Sequence, residues 1–453
     1  MIADVHRFPN LNRQRVAIIG SGISGLSTAW AIQDHCDVTI FERNAYIGGH
    51  TNTAIFEAPE GPTPVDTGFI VYNEPNYPNL TALFETLDVA SNQTKMHFSV
   101  SAHDSGIEYG SNGLSGLFAD RRNVLRPRFY AMIMDIMRFY RAAPKLATGG
   151  DAISIGEFLA SQKFGRTFID NHLLPMAAAI WSCPPDEVMN FPAKSLARFF
   201  VNHGLVELGT PFMWRSVDGG SSSYIPKLTM DFAHNIRLNC PVKEVRRNNE
   251  NVQITLNNGE TEVFDQVVLA VHGPQANALL FNATPPERDI LSVFKTQPNK
   301  AVLHTDEGLM PARKDAWASW NYLTQSGTQS NLSVTYWMNQ LQKLRTKSDV
   351  FVTLNPCREP VASKVIGEYS YEHPIFDAAA MNAQREIWTI QGNGGIWYAG
   401  AWLGFGFHED GLECGLAVAE SMTPWRRPWT FDYTRERIQR DLQNQSRFVE
   451  KAA

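Results

Sequence analysis

The chain has 453 residues, roughly two to three times the length of an ordinary domain, and we therefore expect two domains. Hydrophobic residues make up 43% and charged residues 19% of it, which excludes a disordered, collagenous or coiled-coil protein. The net charge of -6 excludes an extended basic surface for nucleic acid, so any anion site is expected to be local.

The cysteines are odd in number, and none lies in a CxxC pair. They are Cys36, Cys183, Cys240, Cys357 and Cys414. This pattern predicts reduced thiols in a cytoplasmic protein, with neither a structural metal site nor a disulfide framework.

An uncharged run from 16 to 33 follows Arg13 and Arg15 and is superficially similar to a signal peptide or a short membrane span. Glycines interrupt the run at turn-forming intervals, and the polar sequence Gln33-Asp34-His35 ends it. We therefore expect neither export nor a transmembrane helix.

The same run predicts a strand, a glycine-rich turn and a helix. A buried strand at 16–19 leads into Gly20-Ser21-Gly22-Ile23-Ser24-Gly25, a helical pattern follows, and a strand at 38–41 ends in Glu42-Arg43. This order of strand, GxGxxG, helix, strand and acid predicts a Rossmann-type dinucleotide site.

Each residue type in the motif has a physical role. Gly20 permits a tight turn, Gly22 lets the backbone approach a diphosphate, and Gly25 lets the helix pack closely on the strand. The free N–H groups at the start of the helix can bind the phosphates, and Glu42 can accept hydrogen bonds from a ribose diol. We therefore expect the glycine-rich turn, Glu42 and Arg43 to hold the nucleotide.

The next segments resemble the flavin-containing amine oxidase superfamily of FAD enzymes. The residues that carry the resemblance are Gly48-Gly49-His50-Thr51 and Asp66-Thr67-Gly68-Phe69-Ile70. The resemblance implies that the first group packs along the diphosphate and ribityl chain, and that the second turns beside the flavin. His50 stands where the family usually has arginine, and a neutral imidazole would supply less charge there.

The resemblance continues along the chain to about Met422. It implies that the backbone of Val242 contacts the adenine and that Ala270 ends a later strand of the FAD domain. It also implies a closing strand before Gly400-Ala401 and a helix, starting near Glu409-Asp410-Gly411-Leu412, whose N-terminus points at the flavin. Ala401 replaces the acid that the family usually has at this position.

The sequence is similar in particular to a branch of FAD oxidoreductases that includes the N-terminal flavin domain of plant cyclopropane fatty acid synthases. The phrases that carry this similarity are VDTGFIVYN at 65–73, AVLHTD at 301–306 and GFHEDG at 406–411. The similarity implies FAD as the cofactor and a lipid-like, fatty acyl substrate.

Because the implied FAD contacts lie far apart, we predict an α/β fold whose Rossmann-type FAD-binding domain is assembled from 1–110, 216–290 and 390–424. An interleaved α+β substrate domain, a mixed sheet capped by helices, is expected from 111–215 and 291–389. Within it, residue patterns predict helices between 121 and 215 and strands near 301–303, 317–322 and 334–337. The tail at 425–453 is expected to form a peripheral helix.

Three residues are candidates for chemistry beside the flavin. The resemblance assigns Lys300 the lysine that holds a water at flavin N5, and a solvated strand lysine is the alternative. His408 opens the helix aimed at the flavin and can titrate near neutral pH, although capping or packing would also explain it. Tyr72 belongs to a set of aromatic residues that are candidates for an apolar pocket, although most aromatic residues in a chain this rich in them belong to the core. The others in this set are Trp181, Trp320, Tyr322, Trp337, Phe405 and Phe407.

The segment 121–145 is basic on a protein whose overall charge is negative. It carries Arg121, Arg122, Arg126, Arg128, Arg138, Arg141 and Lys145 against the single acid Asp135, with Met, Ile and Phe between them. This pattern is typical of an amphipathic helix on an anionic membrane surface, and also of a helix with its arginines in solvent.

Together these features predict an FAD-dependent oxidoreductase that transfers hydride from a fatty acyl substrate to flavin N5, giving desaturation or double-bond isomerisation. No second GxGxxG motif for NAD(P)H is present in the sequence. One alternative is an amine oxidase for a small amine, although phenylalanines at 405 and 407 lack the usual tyrosine hydroxyl. The other is a flavin-binding partner protein of a lipid methyltransferase.

Overall fold

The computed structural model describes residues 13–440 apart from 150–152, 182–187, 203, 207–211, 325–332 and 439. In these residues the strands are β1 Gln14–Ile19, β2 Cys36–Phe41, β3 Thr53–Ala58, β4 Gly61–Asp66, β5 Tyr72–Asn73, β6 Ser91–Thr94, β7 Phe98–Ala102, β8 Ile107–Gly110, β9 Trp214–Val217, β10 Ile236–Arg237, β11 Val242–Arg247, β12 Val252–Leu256, β13 Thr261–Phe264, β14 Gln266–Leu269, β15 Lys295–His304, β16 Trp320–Thr324, β17 Ser333–Trp337, β18 Phe351–Leu354, β19 Val365–Ile375 and β20 Ile396–Tyr398. The helices are α1 Ile23–Ile32, α2 Pro78–Thr86, α3 Leu114–Leu117, α4 Pro127–Thr148, α5 Ile155–Ser161, α6 Arg166–Phe168, α7 Leu174–Trp181, α8 Ala193–Asn202, α9 Ile225–Thr229, α10 Gly273–Leu279, α11 Pro285–Leu291, α12 Met338–Leu341, α13 Ala378–Glu386 and α14 His408–Met422.

The chain forms two compact units, each built from separated segments. Unit 1 consists of Met1–Gly49, Ile225–Lys295 and Asn382–Ala453, and unit 2 consists of His50–Tyr224 and Thr296–Met381. The predicted α/β fold with a discontinuous nucleotide domain is therefore confirmed. The boundaries differ from the predicted ones mainly at 50–110, which belongs to unit 2.

Unit 1 contains a parallel sheet with strand order β10-β2-β1-β14-β20. Its central strand β1 is buried at Val16, Ala17 and Ile18, as an apolar strand covered on both faces should be. A separate antiparallel sheet joins β11, β12 and β13. In the parallel sheet the carboxyl ends of β1, β14 and β20 lie side by side, which brings Gly20, Ala270 and Gly400 to one edge.

Unit 2 contains a mixed sheet with strand order β19-β15-β18-β17-β16-β7-β8. The predicted strands at 301–303 and 334–337 are confirmed as parts of β15 and β17. The predicted start of the strand at 317 is wrong, because β16 begins at Trp320. Trp317 instead ends a short 3₁₀ turn, and its indole N–H donates to the carbonyl of Pro311 at 2.8 Å.

The region 121–215 is mostly helical, as predicted. Its longest helix, α4, packs against α8 and buries Phe129, Met132, Phe139 and Ala143. No helix in the described part of the chain is long and apolar enough to cross a membrane.

The predicted peripheral helix after Pro424 is wrong for the residues that the structure describes there. In 424–438 and at 440 the only helical element is one short 3₁₀ turn, Tyr433–Arg435. Arg427 and Arg440 are buried instead, where they form ion pairs with Glu420 at 3.0 and 2.7 Å. Residues 441–453 of the predicted tail and Cys183 lie outside the described residues.

Candidate functional site

The glycine-rich turn of unit 1 requires glycine at two positions. Gly20 has φ +104°, and a Cβ there would lie 2.4 Å from the carbonyl oxygen of Ala270. A Cβ on Gly25 would lie 2.1 Å from the carbonyl oxygen of Gly20. The close approach of the turn, α1 and β14 therefore depends on the first and last glycines of the motif.

The start of α1 leaves space and donors for an anion. No described side chain caps this end of the helix at Gly22, and a Cβ on Gly22 would meet no described atom within 4 Å. Ile23 and Ser24 follow directly in the first turn of the helix, whose backbone N–H groups have no acceptor within the helix itself. This arrangement fits the diphosphate of a dinucleotide.

Glu42 fixes the turn from the end of β2. One carboxylate oxygen accepts hydrogen bonds from the backbone N–H and the hydroxyl of Ser21, at 3.0 and 2.6 Å. The other accepts from the backbone N–H of Asn44 at 2.8 Å. Glu42 is buried, whereas the neighbouring Arg43 is exposed.

The Gly-Gly sequence that follows folds back on the turn. The backbone N–H of Gly48 donates to the carbonyl of Ser21 at 3.0 Å. Gly49 has φ +59°, and a Cβ on it would lie 3.3 Å from the Cα of Gly22. Both predicted glycines therefore contact the glycine-rich turn.

In unit 2 the segment 50–52 is paired with the turn 67–69. The backbone N–H of Phe69 donates to the carbonyl of His50 at 2.8 Å, and a Cβ on Gly68 would lie 2.2 Å from the same oxygen. The Thr51 hydroxyl lies 2.8 Å from that of Tyr224, and Thr67 and Ile70 are buried. The two motif segments that sequence similarity assigned to the flavin are thus held together by backbone contacts.

Asp66 organises this region, although sequence reasoning did not assign it a role. Its carboxylate accepts hydrogen bonds from the hydroxyl of Thr53, the N–H and hydroxyl of Ser221, and the side-chain amide of Gln342, at 2.6–2.9 Å. Burial raises the pKa of Asp66 to about 7, and the hydrogen bonds from Thr53 and Ser221 oppose that shift. The Asp-x-Gly sequence could have pointed to Asp66, but the hydrogen-bond partners of its carboxylate come from separate parts of the chain.

His50 lies in a stack of rings that the sequence did not reveal. Its imidazole is 5.0 Å from the ring of Tyr371 and 5.6 Å from that of His373. Burial, and then the neighbouring His50, lower the pKa of His373 to about 3. The Tyr371 hydroxyl lies 2.8 Å from that of Thr67, which ties the stack to the predicted flavin turn.

The helix α14 of unit 1 packs directly on α1. A Cβ on Gly411 would lie 2.8 Å from the Cγ2 of Ile23, and one on Gly415 would lie 2.2 Å from the hydroxyl of Ser27. The two helices that begin beside Gly22 and His408 are therefore in close contact through glycine.

The start of α14 combines capping with burial. His408 is its first residue and is half-buried, and Glu409, Asp410 and Leu412 are buried. Asp410 accepts a hydrogen bond from the backbone N–H of Phe407 at 2.8 Å, so this acid caps the helix. It also pairs with Arg437 at 3.2 Å, while burial raises its pKa.

The remaining nucleotide candidates of unit 1 lie at the ends of strands. Ala270 follows β14, and its N–H donates to the carbonyl of Ile19 at 2.9 Å. Gly400 and Ala401 follow β20, and Val242 begins β11. Their contacts with a nucleotide remain a prediction.

Lys300 lies in surface ion pairs and Tyr72 lies in a packed core. The ammonium group of Lys300 forms ion pairs with Glu359 at 3.0 Å and Glu368 at 3.1 Å, and the side chain is 39% exposed. This is the solvated strand lysine of the alternative interpretation. Tyr72 is buried with its ring 5.4 Å from that of Phe84, as expected of a core residue.

The other aromatic candidates are distributed over both units. Trp320 stacks on Tyr336 at 5.9 Å, Trp337 contacts Trp317 at 5.3 Å, and Tyr322 is buried, all in the sheet of unit 2. Phe405 and Phe407 are half-buried in unit 1, directly before α14. The side chain of Trp181 lies outside the described residues.

Comparison with known proteins identifies one family and several solved structures. The sequence model described as flavin-containing amine oxidoreductase matches residues 23–344. An uncharacterized protein of Acanthamoeba polyphaga mimivirus is 36% identical over 78 residues, which cover 17% of this chain and 16% of that protein.

The solved structures share the fold over most of the chain at low sequence identity. A variant of putrescine oxidase with redesigned cofactor binding has a TM-score of 0.68 at 16% identity, covering 90% of this chain and 98% of that one. A fatty acid isomerase from P. acnes that produces CLA has a TM-score of 0.61 at 16% identity, covering 90% and 97%. A putative protoporphyrinogen oxidase from Exiguobacterium has a TM-score of 0.64 at 16% identity, covering 90% and 98%.

Proposed function

The chain belongs to the flavin-containing amine oxidoreductase family and is an FAD-dependent oxidoreductase, and we propose that its substrate is a lipid-like, fatty acyl molecule. The reaction in this proposal is a desaturation or a double-bond isomerisation. Bound FAD would supply hydride acceptance at its N5 atom. The residues that would hold its diphosphate and ribose are the glycine-rich turn and Glu42, whose geometry fits such a group.

The observation that carries the proposal is the sequence Phe405-Gly406-Phe407 immediately before His408. Both aromatic rings belong to phenylalanine, so they offer apolar surface and no hydroxyl to an amine. The neighbouring acid Asp410 accepts a hydrogen bond from Phe407 and pairs with Arg437, so its charge is already balanced inside the protein. An apolar chain suits these surroundings better than a charged or hydrogen-bonding amine.

His408 is the residue that we assign to proton transfer. It is half-buried at the first position of α14, where the N–H groups of the helix end favour negative charge. An imidazole titrates near neutral pH and can accept a proton from a substrate carbon or return one to it. Desaturation removes a hydride and a proton from the substrate, and His408 would take up the proton. Isomerisation balances when the hydride returns at another carbon, so it requires no net proton transfer.

Two other functions stay open to test. Oxidation of a small amine is supported by the fold likeness to putrescine oxidase. A flavin-binding partner of a lipid methyltransferase is supported by the sequence similarity to the flavin domain of cyclopropane fatty acid synthases. The fold likeness to a fatty acid isomerase supports the lipid reaction.

Anaerobic titration of the FAD-loaded protein distinguishes these functions. Unsaturated fatty acids or phospholipids carrying them should bleach the flavin absorbance or give an isomerised product. Bleaching by putrescine and other amines, without any effect of lipids, would establish the amine oxidase instead. Full flavin occupancy with no response to either class would favour the partner protein.

We expect His408→Ala to retain FAD and to slow flavin reduction by the active lipid about tenfold or more, within the ~10²–10⁴-fold range of a positioned acid or base. His234→Ala is the matched control, because His234 is exposed in unit 1. Stopped-flow absorbance of fully flavinated protein gives the rate constants. An unchanged rate constant for His408→Ala would remove this residue from the reaction.

A further inference from the structure

The basic segment of unit 2 presents one continuous exposed stripe on α4. Among its exposed residues, Tyr130, Met134, Arg138, Arg141 and Lys145 recur every three or four positions. The opposite face is buried at Phe129, Met132, Asp135, Phe139 and Ala143. The helix is therefore anchored in the protein on one side, and its free side is apolar at the start and basic at the end.

The apolar part of this surface is larger than the helix alone. The exposed fractions are 85% for Leu125, 60% for Met134, 48% for Val124 and 45% for Tyr130. The Tyr130 hydroxyl donates to the carbonyl of Val124 at 3.0 Å, so the turn before α4 is continuous with the stripe. Large apolar side chains this exposed and this close together usually mark a surface that is covered by something else.

The charges around these apolar residues are basic. The nearby acids Asp120 and Asp135 have side chains only 2% and 12% exposed, and each is paired with arginine. Arg121, Arg141 and Lys145 are exposed and form no ion pair with any residue in the described part of the chain. The surface therefore carries uncompensated positive charge beside protruding apolar side chains.

We propose that this surface, residues 121–145, docks the protein on an anionic phospholipid bilayer. The apolar side chains would enter the boundary between headgroups and acyl chains, while the basic residues contact lipid phosphates. A nucleic acid would use the charges and leave Leu125 and Met134 in water, so a bilayer satisfies both halves of the surface. The proposal goes beyond the proposed reaction, because adsorption needs neither substrate nor turnover.

Vesicle sedimentation of the FAD-loaded protein tests this proposal. The protein should sediment with vesicles of equal phosphatidylcholine and phosphatidylglycerol and remain in solution with pure phosphatidylcholine. High salt should weaken binding to the anionic vesicles. Failure to sediment with either vesicle, or equal binding to both, would overturn the proposal, whatever the lipid titration of the flavin shows.

Two pairs of substitutions separate the charge from the apolar contact. Arg141→Glu with Lys145→Glu should weaken vesicle binding at least about tenfold, because each basic residue near an anionic surface contributes about fivefold. Leu125→Ser with Met134→Ser should weaken vesicle binding by about tenfold, because the parent side chains move from water into the bilayer and serine gains little from that transfer. Neither pair touches a residue assigned to the flavin, so FAD content should not change.

The controls match the charge and the chemistry of each pair. Lys343→Glu with Arg345→Glu makes the same change of charge in an exposed loop of unit 2, and Met230→Ser changes an exposed methionine of unit 1. Both controls should bind vesicles within about twofold of the parent. Losses in the controls equal to those in the test variants would show nonspecific adsorption and overturn the assignment of the surface.

Discussion

The Glu42 carboxylate is expected to bind the ribose of FAD, and it already accepts hydrogen bonds that order the glycine-rich turn. Both oxygens accept backbone hydrogen bonds within unit 1, from Ser21 and Asn44. Glu42→Ala should therefore weaken FAD binding by about 1.5–3 kcal/mol, the range for a hydrogen bond to a charged group. Fluorescence titration of apoprotein with FAD measures the loss.

Asp37→Ala is the control for this change. Asp37 is an exposed acid on the same strand, so its removal should leave FAD affinity within about twofold of the parent. A Glu42→Ala variant that retains FAD as well as Asp37→Ala does would exclude Glu42 as the ribose acid.

The Asp66 carboxylate is surrounded by hydrogen-bond donors, so its replacement by an amide should destabilise the protein. Each of its four hydrogen-bond contacts supplies a donor, so Asp66→Asn would turn an amide N–H toward the amide of Gln342. We expect a loss of about 1–3 kcal/mol in the free energy of unfolding, the cost of an unmet buried donor. Urea denaturation measures it.

A compensating change tests the reason for this loss. Gln342→Glu in the Asp66→Asn background supplies an acceptor opposite the new donor and should recover at least half of the lost stability. If the double variant is as unstable as the two single changes added together, the orientation of donors is not what Asp66 contributes.

The residues of the glycine-rich turn could be predicted from the sequence because the strand, the spaced glycines, the helix and the acid follow one another in a single segment, 16–42. The partners of Asp66 could not be predicted, since Thr53, Ser221 and Gln342 come together only in the folded unit 2. Lys300 shows the same limit, because the acids that neutralise it lie about sixty residues away. Local motifs predict backbone geometry better than they predict the neighbours of a side chain.

At the scale of elements, the contact of α1 with α14 couples two predicted nucleotide segments. A Cβ on Gly415 would lie 2.4 Å from the carbonyl oxygen of Ser24, and a backbone atom cannot move aside alone. Gly415→Ala should therefore separate the helices and lower stability by about 1–3 kcal/mol, as overpacking does. FAD affinity should fall with it, because α1 begins at the glycine-rich turn.

Gly149→Ala is the matched substitution at the end of α4. Its φ is -66°, and the nearest atom to a new Cβ is 3.4 Å away, so stability and FAD affinity should hardly change. Thermal unfolding and FAD titration of both variants decide the point. Equal behaviour of the two would mean that the two helices accommodate a methyl group.

The predicted peripheral helix after Pro424 was wrong because of contacts between elements. A charged segment with tryptophan and arginine favours an exposed helix when read alone. Pro424 and Pro428 interrupt the backbone hydrogen bonds of a helix, and the acids Glu420 and Glu436 draw Arg427 and Arg440 into the protein. The acids that pair with these arginines are only four to twenty residues away, but composition alone does not show that the pairs are buried, so it predicted the wrong exposure.

For the whole molecule, the two units are expected to differ in their response to acid. Burial lowers the pKa of His172 and His304 to about 4 and that of His373 to about 3, and all three lie in unit 2. Between these values and about 6.5, the unfolded chain binds protons that the folded unit does not. Their contribution to stability is therefore complete above pH 6.5 and is lost as the pH falls toward 4.

Buried acids act in the opposite direction. Burial raises the pKa of Asp66 in unit 2 to about 7 and that of Glu413 in unit 1 to about 8. Such a group binds its proton more tightly when folded, so its contribution is present at low pH and is lost as the pH rises through this range. In unit 2 the three histidines outweigh Asp66, so acid destabilises this unit, whereas protonation of Glu413 stabilises unit 1.

We therefore expect unit 2 to open before unit 1 when the pH is lowered from 7 to 5, with a loss on the order of 3 kcal/mol. Hydrogen–deuterium exchange, corrected for the intrinsic rate at each pH, should show new exchange in peptides from 50–224 and 296–381.

A substitution of His304 tests whether the histidines cause this opening. Its Nδ1 accepts a hydrogen bond from the N–H of Asp306 at 3.0 Å, and its Nε2 lies 2.7 Å from the Thr353 hydroxyl. His304→Asn can keep the first contact without titrating, and should therefore reduce the acid-induced opening, whereas His103→Asn at an exposed site should not. Simultaneous opening of both units, or equal acid sensitivity of His304→Asn and the parent, would show that these histidines do not set the response.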